Sequence, residues 1–369
     1  MKILAIETSC DETAIALVEA KGGFRNPQFR IIKNVVSSQV KVHQPFGGVV
    51  PSLAKREHIK NLPLVLDQVL GKEQIAKRKM EKIDVIAVTV GPGLEPALWT
   101  GINFAKDLAK KYKKPLLGAN HLEGHLYSFL LSKKAVYPAI VLIVSGGHTI
   151  LIYQKNIITW KKIGETRDDA AGEAFDKVAR MLNLPYPGGA LIEKLALGVP
   201  KGWQDTIEFP RPMIHQKNYD FSFSGLKTAV LYYLRDKKQA TRDKANVAAS
   251  FQQAIIDVLT AKTIRAAREY KVKSIILAGG VASNNALRKR LQSESRKNEL
   301  TFLAAEKKYQ TDNAAMIAAA AYINYLSARG GSLPAGRHGA FGGKDKKPRK
   351  IAPRSRGKRR LTAQADLSL

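Results

Sequence analysis

The stretch KILAIETSCDETAIALV, at residues 2–18, contains two apolar segments separated by a polar one. Short apolar runs bounded by polar clusters are typical of buried strands, so we predict strands over 2–6 and 14–18. The same plan recurs in AIVLIVSGGHTILIY, where strands are predicted over 139–144 and 149–153. Two similar hairpins about 140 residues apart indicate an internal duplication of the chain.

Further strand and helix patterns alternate along the rest of the chain. Strands are predicted at 85–90 and 274–278, and each is followed by a glycine-containing loop and a helical pattern. Alternation of strands and helices is typical of layered α/β proteins. A duplicated α/β body with facing hairpin turns predicts a cleft between its two halves.

The most unusual feature of the composition is its charge. The chain has 61 Lys and Arg against 31 Asp and Glu, a formal net charge of +30. Residues 327–369 carry 12 basic and 2 acidic residues, so the rest of the chain retains +20. This balance indicates either a polyanionic partner, preferably nucleic acid, or a solvated lysine-rich surface. Because residues 327–369 lack apolar periodicity, we expect them to be largely disordered, serving as a phosphate-binding arm or a solubilising extension.

The cysteine content and the apolar runs bear on the compartment. Cys10 is the single cysteine, which excludes an intrachain disulfide and suits a reducing cytoplasm. We interpret Cys10 as a packed small residue rather than a nucleophile. Acidic Glu7 comes too early for a signal peptide, and the longest apolar run, 139–144, is too short to cross a bilayer. We therefore expect a cytoplasmic protein without a membrane partner.

The segment NHLEGH, residues 120–125, is the sharpest local motif. His121 and His125 are four residues apart and share one face of a helix, so both imidazoles can reach a single metal ion. The alternative is a pair of ordinary core or surface histidines. Asn120 is a predicted N-cap, and Glu123 is placed as its capping-box partner.

A third metal ligand has to come from elsewhere in the chain, and Asp312 in the segment QTDNAAM is the candidate. Asp312 could instead cap the C-terminal helix or lie just before it. The histidine pair does not match the metalloprotease motif His-Glu-x-x-His, because Glu123 is the third residue counted from His121, not the second, and points elsewhere around the helix. A metalloprotease is therefore a weak alternative.

Three glycine pairs could cradle a phosphate through backbone N–H groups, or could be plain tight turns. They are Gly146-Gly147, Gly188-Gly189 and Gly279-Gly280. None forms a Walker A motif or a GxGxxG fingerprint, so P-loop and Rossmann sites are excluded. The third pair leads through Asn284 into a helix predicted over 286–291, whose N-terminus favours anions.

A carboxylate cluster lies in DDAAGEAFD, residues 168–176. Asp168 and Asp169 are predicted to cap the helix that follows them. Asp176 lies further along that helix, where it could accept hydrogen bonds from a ribose or simply face solvent.

Taken in order, these segments resemble the tRNA threonylcarbamoyladenosine transferase family, called TsaD in bacteria. The resemblance covers nearly all of residues 1–326. The matching segments are IETSCDET at 6–13, FGGVVP at 46–51, GPGL at 91–94, HLEGH at 121–125, VSGGHT at 144–149, residues 168–176, YPGG at 186–189, FSFSGLK at 221–227, AGGV at 278–281 and TDN at 311–313.

The resemblance implies an actin/Hsp70-like ATPase (ASKHA) fold, with two duplicated α/β halves around a nucleotide cleft. The expected N-terminal half comprises residues 1–133 and 308–326, and the C-terminal half comprises 134–307. Residues 327–369 form the basic tail.

The resemblance also implies an activity, namely transfer of a threonylcarbamoyl group from threonylcarbamoyl-AMP to N6 of adenosine 37. The substrates are tRNAs reading codons that begin with A. One divalent metal ion, Fe²⁺ or Zn²⁺, is implied. A TsaB-like paralogue and a TsaE-like ATPase are implied as partners. The implied metal ligands are His121, His125 and Asp312, and the implied adenylate-binding residues are Ile143, Val144, Ser145, Gly146, Gly147, Asp176, Gly189, Glu193 and Asn284.

Two further alternatives share features with this interpretation. A kinase or chaperone-like ATPase of the same fold would use ATP and Mg²⁺ and would not need the His121/His125 pair. A non-catalytic tRNA-binding protein would not need the three-ligand set.

Overall fold

The computed structural model describes residues 1–200, 207–236, 244–329 and 361–369. Its strands in chain order are β1 (Lys2–Glu7), β2 (Glu12–Lys21), β3 (Gln28–Ser38), β4 (Val85–Gly91), β5 (Leu116–Asn120), β6 (Ala139–Val144), β7 (Thr149–Gln154), β8 (Trp160–Glu165), β9 (Ser274–Ala278) and β10 (Thr301–Ala304).

The helices in chain order are α1 (Val40–His43), α2 (Pro51–Leu70), α3 (Glu73–Glu81), α4 (Glu95–Tyr112), α5 (His121–Tyr127), α6 (Ala171–Met181), α7 (Gly188–Ala196), α8 (Ser224–Asp236), α9 (Lys244–Glu269), α10 (Asn285–Lys297) and α11 (Ala314–Arg329). Within the described ranges, no helix combines the length and apolar character needed to span a membrane.

The strands form two five-stranded sheets with equivalent connectivity. The first has the order β3-β2-β1-β4-β5 and the second β10-β9-β6-β7-β8. In each sheet an antiparallel three-stranded meander is followed by two parallel strands, β4 and β5 or β9 and β10. The predicted strands and the predicted duplication are therefore confirmed.

The central strands are buried on both faces, which explains their continuous apolar sequences. All six residues of β6 are fully buried, as are the four apolar residues that follow Lys2 in β1. In the first sheet, β1 contributes Leu4 and Ile6 to a core shared with α2 and α4, while α11 packs against β1, β2 and β5. The sequence of α11, AAMIAAAAYINYLSAR, is rich in alanine, and such small side chains allow a helix to approach its neighbours closely.

The described chain divides into two compact units. Unit 1 comprises Met1–Gln39, Val49–Ser132 and Asp312–Leu369, and unit 2 comprises Val40–Gly48 and Lys133–Thr311. The sequence-based division assigned residues 40–48 to the first half, whereas they group with unit 2. One contact that joins them to unit 2 is the hydrogen bond that Arg180 of α6 donates to the Gly47 carbonyl oxygen. A contact between such distant positions leaves no trace in local periodicity.

The C-terminal segment 361–369 is ordered, although residues 327–369 were expected to be largely disordered. Leu361, Ala363 and Leu367 pack against the unit 1 core. The backbone N–H of Gln364 donates to Val90 O over 2.7 Å, at the end of β4. Residues 327–329 of the predicted tail are the last residues of α11, and residues 330–360 lie outside the described residues. A few apolar side chains and strand-end hydrogen bonds order 361–369, although its composition shows no periodic pattern.

Candidate functional site

The two histidines of NHLEGH begin and continue α5, directly after β5. Asn120 ends β5 and caps α5, because its Oδ1 accepts hydrogen bonds from Leu122 N (2.7 Å) and Glu123 N (3.2 Å). The predicted N-cap is thus confirmed. All seven residues of α5 are buried, including both histidines.

The third predicted ligand comes from the segment before α11. Asn313 caps that helix, its Oδ1 accepting from Met316 N over 3.1 Å, which leaves the Asp312 carboxylate to face α5. Asp312 Oδ1 lies 3.1 Å from His125 Nε2 and 3.6 Å from His121 Nε2. One candidate ligand atom from each side chain lies within 4.8 Å of the others. The structure therefore brings the three predicted residues together.

Helix packing makes this convergence possible, and Gly124 is central to it. A Cβ at Gly124 would lie 3.0 Å from Ile317 Cδ1 and 3.1 Å from Met316 Cγ, both on α11. These distances are tighter than ordinary packing, so glycine lets α5 approach α11 closely. The approach brings both histidines to Asp312.

The donor atoms at this position suit a cation. Neither ring nitrogen of His125 has an aligned hydrogen-bond partner among the described residues, even though its Nε2 is close to Asp312 Oδ1. His125 is fully buried, and a buried nitrogen lone pair beside a carboxylate oxygen is costly without a proton or metal between them. Two imidazoles and a carboxylate are a common ligand set for zinc and iron. The residues therefore fit a metal ion.

Carboxylates surrounding the cluster make its electrostatics favourable for a cation. Burial, followed by the charges of Asp11 and Asp312, raises the pKa of Glu12 well above its usual range. Burial also raises the pKa of the Cys10 thiol, with nearby carboxylates adding to the effect. Cys10 therefore stays protonated, which supports its interpretation as a packed residue. Burial opposes charge on His121, but Asp312 and Glu7 outweigh it and raise the His121 pKa to about 9.

Two residues that contact the cluster were missed by sequence reasoning. Glu7 Oε2 lies 3.2 Å from His121 Nδ1, and Ser9 Oγ lies 3.1 Å from the same nitrogen. Both belong to the end of β1 and the polar turn after it, and the end of a central strand is a usual position for functional side chains. The sequence feature that could have indicated Glu7 is a charged residue at the last position of a predicted buried strand.

Glu123 does not occupy the position of a protease base. Its carboxylate accepts a hydrogen bond from Asn324 Nδ2 of α11 over 2.6 Å. This contact ties α5 to α11 and agrees with the sequence argument against a metalloprotease.

The residues assigned to the adenylate all lie in unit 2. Ile143 and Val144 end β6, and a tight turn follows in which Ser145 N donates to His148 O over 2.8 Å. Among the described residues, no heavy atom beyond the immediate chain neighbours lies within 4 Å of a Cβ placed on Gly146 or Gly147. The backbone of this turn is therefore open to a ligand.

The start of α6 packs directly on this turn. Gly172 N donates to Ser145 O over 3.2 Å, and a Cβ at Gly172 would lie 2.5 Å from that oxygen. Any larger side chain would displace the turn. The helix itself begins with Ala171 N donating to Thr149 Oγ1 over 2.9 Å.

Hydrogen bonds link the remaining assigned residues from helix to helix. Asp176 of α6 accepts from Gly188 N over 2.7 Å at the start of α7, next to Gly189. Glu193 of α7 accepts from Asn285 N over 2.7 Å at the start of α10. Asn284 caps α10 through Leu287 N (2.9 Å) and donates to Gln252 Oε1 (2.7 Å). The structure thus connects α6 to α7 through Asp176, α7 to α10 through Glu193, and the start of α10 to α9 through Asn284.

The prediction that Asp168 and Asp169 cap the following helix is wrong. Asp168 instead accepts from Phe223 N (2.8 Å) and Ser224 N (3.2 Å), which caps α8. Asp169 pairs with Lys177 and Lys227. The choice between two nearby helix ends depends on how the segments pack, which local sequence does not encode.

Comparisons with known proteins identify the family to which the chain belongs. The family model described as tRNA N6-adenosine threonylcarbamoyltransferase, TsaD, matches residues 30–319. Proteins of that name from Staphylococcus haemolyticus and Bacillus subtilis are 48% and 49% identical to this chain. Each alignment covers 88% of this chain and 92% or 91% of the relative. The crystal structure of HypF from T. kodakarensis aligns with a TM-score of 0.56 at 14% identity, over 89% of this chain and 48% of that chain. That likeness supports the predicted fold class.

Proposed function

The chain belongs to the TsaD family of tRNA N6-adenosine threonylcarbamoyltransferases and is an acyltransferase. From this premise we propose that it transfers a threonylcarbamoyl group from threonylcarbamoyl-AMP to N6 of adenosine 37, in tRNAs that read codons beginning with A. The N6 nitrogen forms a bond to the carbamoyl carbon, the bond from that carbon to the phosphate oxygen breaks, and AMP and one proton leave. Because its substrate is tRNA, we propose that the protein acts in the cytoplasm.

The observation that carries the proposal is the convergence of His121, His125 and Asp312 in unit 1. We assign these three residues as ligands of one divalent ion, Fe²⁺ or Zn²⁺, because both metals accept imidazole and carboxylate ligands. When bound, the ion supplies Lewis-acid polarisation of the carbamoyl oxygen or an anchor for the threonyl group. Burial of both imidazoles excludes water from the ligand side of the site.

We assign the adenylate to the unit 2 residues that the hydrogen-bond chain connects. The open turn at Gly146 and Gly147 presents backbone N–H groups to the phosphate, as anion-binding loops do. With Ile143, Val144 and Ser145 it forms the phosphate side of the site. Since the donor is a mixed anhydride with a good leaving group, the main task of this turn is to orient the reacting carbon.

The nucleoside side of the site is assigned to Asp176, Gly189, Glu193 and Asn284. Gly189 leaves space, since among the described residues a Cβ there would meet only Phe175 Cβ, at 3.9 Å. The amide of Asn284 is already bonded to Leu287 and Gln252, so we assign it the role of fixing the start of α10.

The partners follow from charge and from family membership. A net charge of +30 supports phosphate contacts with tRNA. We propose a TsaB-like paralogue and a TsaE-like ATPase as protein partners.

The test is reconstitution with defined components. Purified protein, tRNA, threonine, bicarbonate, ATP and the adenylate-forming enzyme are combined, and the modified nucleoside is measured by mass spectrometry. A kinase or chaperone-like ATPase would hydrolyse ATP without modifying tRNA. Absence of the modified nucleoside, both here and with preformed threonylcarbamoyl-AMP plus the two partner proteins, would refute the proposal.

Ligand variants test the metal assignment separately. We expect His121→Ala, His125→Ala and Asp312→Asn each to lose metal by elemental analysis and to lose single-turnover transfer together. The exposed His215 provides the matched control, and His215→Ala should retain both. tRNA affinity should remain nearly unchanged in the ligand variants, because phosphate contacts lie elsewhere. Full metal occupancy in all three variants would refute the assignment of these residues as metal ligands. Loss of metal with undiminished transfer would show that the metal has a structural role.

Asp176→Asn tests the division of roles between the two carboxylates. The amide introduced by this substitution keeps an oxygen that can accept from Gly188 N, so we expect a smaller loss of transfer than in Asp312→Asn. Removing a charged metal ligand costs several kcal/mol of charge stabilisation, or on the order of 100-fold or more in rate. Equal losses in both variants would contradict these assignments.

A further inference from the structure

The carboxylate of Glu7 is buried at the end of β1, directly behind one of the candidate metal ligands. Its side chain is 1% exposed. Oε1 accepts from Ser9 N over 2.5 Å, and Oε2 accepts from Thr89 Oγ1 over 2.5 Å. Oε2 also lies 3.2 Å from His121 Nδ1. A central strand, the turn after it and the neighbouring strand β4 therefore hold this carboxylate in one place.

These contacts determine which nitrogen of His121 carries its hydrogen. Ser9 N and Thr89 Oγ1 both donate to Glu7, and an ionised carboxylate has only acceptor sites. The group at its third contact, His121 Nδ1, is therefore also a donor. Assigned from these partners, the hydrogen of the neutral, metal-bound His121 is on Nδ1 and is donated to Glu7, with Ser9 Oγ as a second acceptor 3.1 Å from the same nitrogen. The lone pair is then on Nε2, the nitrogen 3.6 Å from Asp312.

His125 has no equivalent support. Its Nδ1 makes no hydrogen bond to any described residue, and its side chain is fully buried. The two imidazoles are therefore inequivalent, and the Glu7 carboxylate acts on only one of them. Together Glu7 and Asp312 also carry two negative charges, which match a divalent cation bound between neutral histidines.

We propose that Glu7 is a positioning residue that fixes the orientation and tautomer of His121 and thereby raises metal affinity. The inference rests on the metal assignment of the proposed function. It adds that a chain of hydrogen bonds, from Thr89 to Glu7 to His121, connects the sheet to the metal site. Carboxylates that hold a metal-binding histidine typically contribute about 10–100-fold to affinity.

The experiment measures the zinc dissociation constant of the full-length protein by competition with a chromophoric chelator. Glu7→Gln keeps the size of the side chain but removes its charge, and we expect affinity to fall about 10–100-fold. Glu7→Asp keeps the charge with a shorter reach, and we expect it to recover part of the loss. An affinity within twofold of the parent protein in Glu7→Gln would overturn the proposal.

A double-mutant cycle separates positioning from general structural support. In a His121→Ala background, Glu7→Gln should change zinc affinity less than twofold, because its target is gone. In a His125→Ala background, the full loss should reappear. The same loss in both backgrounds would show that Glu7 acts through the fold and would refute a role through His121.

Two further measurements keep the test decisive. NMR of zinc-loaded protein should show the His121 Nδ1–H hydrogen shifted downfield by its hydrogen bond to Glu7, and this downfield shift should be smaller in Glu7→Gln. If Glu7→Gln does not fold, Thr89→Val removes only the hydroxyl that holds Glu7 and should weaken zinc binding several-fold. Unchanged affinity in that variant would then overturn the proposal. Failure of the metal assignment itself would have a different result, because His125→Ala and Asp312→Asn would then bind zinc as tightly as the parent protein.

Discussion

Removing the cap of the metal-binding helix should destabilise that helix specifically. Asn120 is 9% exposed, and its Oδ1 accepts from two backbone N–H groups in the first turn of α5, those of Leu122 and Glu123. Its Nδ2 also makes a long hydrogen bond of 3.4 Å to Ser368 O. Asn120→Ala removes all three interactions without adding a charge.

The magnitude follows from the number of hydrogen bonds that the substitution removes. Replacing an N-cap Asn by Ala costs about 1 kcal/mol on average and up to about 2 in folded proteins. Here two hydrogen bonds to buried N–H groups are lost, and each such bond contributes about 0.5–1.5 kcal/mol. We therefore expect a cost near the upper end of the N-cap range, about 2 kcal/mol. Because α5 carries both histidines, local opening of this size should weaken zinc binding by up to about 30-fold.

Native-state hydrogen exchange is the appropriate assay, because a chain with two units need not unfold in one step. Exchange is followed by mass spectrometry in peptides covering 116–131 of the metal-free protein. Asn120→Ser is the matched control: serine is a comparable N-cap, so the opening free energy should stay within about 0.5 kcal/mol of the parent. A cost below about 0.5 kcal/mol for Asn120→Ala, or equal costs for Ala and Ser, would refute the reasoning.

Three other predictions concern the rest of the chain. Burial, and then the charge of a neighbouring arginine, lowers the pKa of Lys262 from 10.5 to about 8. The free energy of unfolding should therefore rise as the pH increases between those two values. Lys262→Met should remove this rise and increase the free energy of unfolding at pH 7 by about 1–3 kcal/mol, measured by urea unfolding. A flat stability profile of the parent across that range would contradict the assignment. Gly172→Ala places a Cβ 2.5 Å from a carbonyl oxygen, so it should lower the melting temperature and reduce the free energy of unfolding by about 1–3 kcal/mol. Gly225→Ala is the control, because no described residue lies near a Cβ at that position, and it should not lower the melting temperature. Equal effects of the two substitutions would be inconsistent with a steric cause. Replacing the Lys and Arg residues of 330–360 by Gln, with 361–369 kept, should weaken tRNA binding and flatten its salt dependence without changing the modified position; an unchanged salt slope would exclude that segment from the interface.

Much of the fold and part of the site could be predicted from the sequence because they depend on residues close together in the chain. The strands at β1, β2, β6 and β7 appear as apolar runs around polar turns, and repetition of that pattern indicates the duplication. The pairing of His121 with His125 follows from helical spacing alone. Asn120 as a cap follows from its position before an apolar helix.

Tertiary structure decided the contacts that join distant segments. Glu7 is 114 residues from His121, and the contact exists because β1 and β5 end at the same edge of one sheet. Asp312 faces α5 because Asn313 takes the cap of α11 and Gly124 allows the two helices to approach. Asp168 caps α8 rather than α6 for a similar reason. Periodicity and helix caps depend on the energetics of a few residues that are neighbours in the sequence. The contacts of Glu7, Asp312 and Asp168 depend instead on the free energy of packing between elements far apart in the chain, and no short segment of sequence contains that information.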